Sequence, residues 1–113
     1  MPGHEIPEAV VVVTESFDGV SVPQWGRLIA EAVELRPRCL IVDLRDSPLV
    51  DAAAIEVLLK AHRDMISGGG RLVLRAPSPR VRRILRLARL EQVFEVDDDL
   101  PARPAPAVPS VAN

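Results

Sequence analysis

Cys39-Leu40-Ile41-Val42-Asp43-Leu44, then Arg45-Asp46-Ser47-Pro48, then Val50-Asp51-Ala52-Ala53-Ala54, is the stretch whose reading decides the fold. The first six residues are an apolar run interrupted by one acid, too short for a helix and fit for a buried strand. The next four carry the polar and proline residues of a loop. Asp51 suits a helix N-cap, because its carboxylate can accept a backbone N–H from the first turn. Val50 and Ile55 stand at the two positions of a hydrophobic staple. A helix is expected from Ala52 to about Ile66, with Ile55, Leu58, Leu59, His62, Met65 and Ile66 on one broad face. Gly68-Gly69-Gly70 stops it.

The same alternation extends in both directions. Downstream, Arg71 to Arg75 reads as a strand. Ser78-Pro79 then opens a helix to about Arg89, with Val81, Ile84, Leu85 and Ala88 as its core stripe. Val93-Phe94-Glu95-Val96 suits a short last strand. Upstream, residues 9–14 hold four consecutive valines and read as a buried strand. Phe17-Asp18-Gly19 is a turn signal, and Val20-Ser21-Val22 suits a second short strand. Pro23 opens a helix that Pro37 ends. Strands alternating with helices imply an α/β domain with a largely parallel sheet and right-handed crossovers. The domain is expected over residues 9–99, after a loose N-terminus at 1–8 and before a Pro/Ala-rich disordered tail at 100–113.

Composition narrows the function classes. The 113 residues suit one domain, 48% of them apolar and 27% charged. The net charge of −2 gives no general attraction to nucleic acid or membrane. Cys39 is the single cysteine, so neither an internal disulfide nor a thiolate metal cluster is available. No apolar run approaches the roughly 20 residues needed to span a bilayer. The N-terminus lacks a signal-peptide pattern, and a cytoplasmic protein is expected.

In order and spacing, several of these pieces resemble the STAS domain family. They are Leu40-Ile41-Val42-Asp43-Leu44, the Val50-Asp51-Ala52-Ala53-Ala54 turn, Leu58 to Arg63, Gly69 to Leu74, Pro77-Ser78-Pro79 and Leu90 to Val96. The resemblance implies a mixed sheet of four to five strands with the main helices packed on one face. It also implies an anti-sigma-factor antagonist, a non-enzymatic regulator that binds a GHKL-type kinase anti-sigma factor. In that family the kinase phosphorylates the second hydroxyl residue of an Asp-Ser-Ser-Gly-like turn and so breaks the complex. Here Asp51 matches the acid, Ala53 stands at the target position and Ala54 replaces the glycine. Alanine has no oxygen to receive a phosphoryl group, so the site is degenerate. The partner surface is expected at Ser47, Pro48, Asp51, Ala52, Ala53 and Ala54, with a homodimer also open. The alternative reading is a small STAS adaptor subunit of a larger assembly, such as a lipid-transport ABC ATPase.

The remaining candidates have plainer readings. Asp43, Asp46 and Asp51 lack the ligand pattern of a metal site, and no cofactor or catalytic residue is expected. Ser47 is the nearest hydroxyl to the degenerate site, but in a different loop. His62 is read as a satisfied, partly buried histidine and Cys39 as a small core residue. The glycine triplet precedes a strand, the reverse of a phosphate-binding loop. Seven arginines and no acid fall within residues 71–89, but five acids follow between 91 and 99 without interleaved aromatics. A solvated face is expected there, not a nucleic-acid surface.

Overall fold

The computed structural model describes residues 6–98. Strands β1 (Glu8–Val12), β2 (Cys39–Asp43), β3 (Arg71–Arg75) and β4 (Glu95–Asp97) alternate with helices α1 (Val22–Glu34), α2 (Ala52–Ser67) and α3 (Pro79–Leu87). The strands lie side by side in the order of the chain, and every pairing among them is parallel. The sheet thus has the lower of the two expected strand numbers and, among the described residues, no antiparallel member. Because each crossover moves one place in the same direction, right-handed connections put every helix on the same face. Residues of all three helices accordingly join one core with Leu40, Val42, Leu72 and Leu74. Cys39, Ile41 and Val73 form a second, smaller buried cluster on the opposite face, to which no described helix contributes.

Three local expectations change. Val20-Ser21-Val22 is a turn running into α1, not a strand. The reason is the Asp18 carboxylate, which accepts from the N–H groups of Val20 (3.0 Å) and Ser21 (3.1 Å) and offers them an alternative to a sheet ladder. Among the described residues the valine run is an edge strand, not a buried one, because its partner β2 lies on one side only. The sheet also begins earlier than the valine run suggests. Glu8 opens β1, and the carbonyls of Ile6 and Pro7 accept from Arg38 and Cys39. Residues 1–5 and the Pro/Ala-rich tail lie outside the described residues.

The N-caps at Asp51 and Ser78 are as the sequence suggests. Each side chain accepts from the N–H three residues on, at 3.0 Å and 3.1 Å. At the end of α2, Gly69 takes a φ of 87°, the left-handed region that suits glycine. A Cβ on Gly70 would lie 2.9 Å from both the Arg38 carbonyl oxygen and Met65 Cε, so the glycine lets β3 start flush against β2.

Candidate functional site

The turn between β2 and α2 is locked by a second loop, the one between β1 and α1. Phe17 N–H donates to the Leu49 carbonyl at 2.8 Å, and Asp51 N–H donates to the Phe17 carbonyl at 3.2 Å. Phe17 and Val50 thereby form an isolated parallel bridge, and both side chains are buried in the core. Asp51 closes the lock with both carboxylate oxygens. Oδ1 accepts from Ala54 N–H at 3.0 Å, capping α2, and Oδ2 accepts from Gly19 N–H at 2.9 Å. These bonds favour the charged form. The Ala54 N–H is the largest influence and, with that of Gly19, holds the carboxyl below its usual value against the opposing effect of burial.

The residues expected at the partner surface divide in two. Ser47 and Ala54 are each 0% exposed. The Ser47 hydroxyl donates to the Leu49 carbonyl at 3.3 Å, bracing the loop from inside. Neither side chain can meet a partner, and Ser47 offers no accessible hydroxyl as a substitute phosphorylation site. Both therefore leave the expected contact set, because the chain doubles back between Leu44 and Leu49 and turns Ser47 inward. Pro48 and Ala52 are exposed, while Asp51 and Ala53 are half-buried at the rim. Beside Ala53, a shallow depression is lined by Val22, Glu56, Val57, Lys60 and Arg63. Apart from the Asp51 carboxylate at its rim, the outward half of the turn is therefore small and apolar, with charged side chains around it.

Sequence reasoning missed the Gly19-Val20 corner. The 2.9 Å Asp51–Gly19 bond brings this corner to the turn, and Val20 stands 91% exposed on it. A valine in a polar turn is the available signal.

The other candidates fall away from the site. Asp43 is a buried acceptor, taking the Arg45 N–H at 2.9 Å. No group of three His, Cys, Asp or Glu that could hold a metal ion occurs among the described residues. The His62 and Phe94 rings meet in a T-shaped arrangement with centroids 5.7 Å apart, and His62 Nδ1 is buried without a hydrogen-bond partner among the described residues. In the arginine-rich stretch, Arg82 pairs with Glu91 and Asp98, and Arg86 pairs with Glu91. Part of that positive charge is neutralised within the chain. No helix among the described residues is long and apolar enough to cross a membrane.

Comparison with known proteins agrees with the architecture. The STAS domain model matches residues 3–102. A STAS-domain containing protein of Pseudomonas aeruginosa is 32% identical over 96 residues, covering 85% of this chain and 94% of that protein. Two solved structures share the fold. One is a candidate anti-sigma factor antagonist of Thermotoga maritima, with a TM-score of 0.76 at 16% identity and 86% of each chain covered. The other is an anti-sigma factor antagonist of Mycobacterium paratuberculosis, with a TM-score of 0.75 at 24% identity, covering 86% of this chain and 81% of that one. A parallel α/β sheet with its helices on one face, a capped turn after the second strand and a family match over nearly the whole chain lead to one conclusion: the chain belongs to the STAS domain family.

Proposed function

We propose that the chain is a non-enzymatic anti-sigma-factor antagonist that binds a GHKL-type kinase anti-sigma factor through the outward half of the turn. The contact surface is Pro48, Asp51, Ala52 and Ala53, extended by Val20. The observation that carries this reading is the turn itself. It is held by Asp51 and the Phe17–Val50 bridge, yet around Ala53 presents a small apolar surface with no hydroxyl. A rigid surface binds without a large ordering cost. A phosphate here would bring about −1.5 to −2 charges into that surface. With alanine at position 53, the turn is held permanently in its unmodified form. Partner binding then responds to the amounts of the two proteins and not to phosphorylation at this position.

The test is titration calorimetry against the anti-sigma kinases of the source organism, with a pull-down to find the partner. Binding by one of them is expected. Ala53→Asp should weaken it several-fold or more, and Ala53→Ser incubated with kinase and ATP should gain a phosphate. Recovery of an ABC ATPase in place of a kinase, or unchanged affinity for Ala53→Asp, would overturn the reading.

A further inference from the structure

Among the described residues β1 has no neighbour on its outer side, and that edge carries a self-complementary pattern. A parallel ladder turns the backbone groups of alternate residues towards its neighbour. Two bonds fix the phase here: the Pro7 carbonyl accepts from Cys39 N–H at 3.1 Å, and Val13 N–H donates to the Asp43 carbonyl at 3.0 Å. Pro7, Ala9, Val11 and Val13 therefore bond inward to β2. Glu8, Val10 and Val12 direct their N–H and C=O groups away from it, over the open edge. Their side chains lie on the face without helices, where Val10 is 46% and Val12 40% exposed.

Sheet edges are ordinarily blunted by short length, charge, proline or a bulge. β4, at the opposite edge, has only three residues, Glu95, Val96 and Asp97, and Asp98 follows. β1 has five residues, and its one charge is Glu8 at its start.

We propose that β1 pairs antiparallel with β1 of a second copy of this chain, about a two-fold axis at Val10, so that the two sheets become one. The register argues for a second copy as occupant. With Val10 opposite Val10, each Val12 falls opposite a Glu8. All three outward residues of each chain then stand in hydrogen-bonded pairs, leaving none of their edge groups unmet. No like charges face each other, and the central Val10 pair buries apolar surface on the helix-free face. A shift of one residue would set outward groups against inward-bonded ones and lose the ladder. The axis runs perpendicular to the sheet, so the helices of both copies lie on one side. One strand pair is a small interface, and the dimer is expected to exchange with monomer.

Sedimentation equilibrium from micromolar to millimolar chain tests this, with circular dichroism as the folding control. The wild type should shift towards twice the chain mass as concentration rises. Val10→Lys puts like charges face to face, and Val10→Pro removes an outward N–H that the monomer does not use. Each should raise the dimer dissociation constant roughly 10-fold or more while the fold is kept. Hydrogen exchange on the unaltered chain gives a reading that needs no variant. The Val10 and Val12 amides should become protected as dimer forms. A monomer at every concentration overturns the proposal, as does a dimer of unchanged strength in both folded variants. So does protection of these amides that appears only when a different protein is added.

Discussion

Within the eight residues from Ser47 to Ala54, two halves have opposite fates. Ser47, Val50 and Ala54 point inward and are buried, while Pro48, Ala52 and Ala53 stand at or near the surface. Asp51 belongs to both, half-buried and bonded to Ala54 and Gly19. The difference teaches that the proposed recognition surface would be shaped by what lies behind it. The inward half fixes the position of the outward half, whose exposed helix start is built from alanines alone. Substitutions in the first should be read as stability, and those in the second as binding.

The largest effect is expected where the inward half meets the neighbouring loop. Phe17→Ala empties a fully buried site beside Val50 and should destabilise by about 3–5 kcal/mol in urea denaturation. Ala54→Asp would bury an unpaired charge and should cost about 3 kcal/mol or more by the same measurement. A variant at Ala54 as stable as the wild type would break the division outright. Asp51→Ala removes the cap and the bond to Gly19, and should cost about 1–2 kcal/mol. The pH dependence has a definite sign. The folded state lowers the Asp51 pKa, so its stabilising contribution is present above the usual carboxylate value and is lost as pH falls through the lowered one. Asp51→Asn should remove that part of the acid limb of a stability–pH profile. Smallest of all, Ala53→Asp should leave stability within about 0.5 kcal/mol, since an acid in the first turn suits the helix dipole. Its effect on partner affinity can then be read without a folding correction.

The sequence made visible what depends on neighbours in the chain. Asp51 as a cap, Val50 and Ile55 as apolar flanks, and the glycine stop after α2 all act within a few residues, and all stand where that local chemistry puts them. What it hid depends on partners far along the chain. The Asp51–Gly19 bond joins residues 32 apart, and nothing near either one announces it. Ser47 has the composition of a surface loop, and the turn that bonds it to Leu44 and Leu49 carries it inward. The valine run in β1 has the composition of a central strand, whereas its place at an edge is a property of the whole strand order. At Val20-Ser21-Val22, β-propensity lost to a single side chain, the Asp18 carboxylate, that supplied a nearer partner for the backbone.

Strand order has a consequence for assembly. Because β1, β2, β3 and β4 are neighbours in the order they are synthesised, each new strand adds to the outside of a sheet already laid down. No described strand has to be inserted between two that have already met. Among the described strands the last one added is the acidic β4, whose charge discourages further pairing on that side. The described sheet is therefore polar, with a short acidic strand at one side and a longer, mostly apolar one at the other.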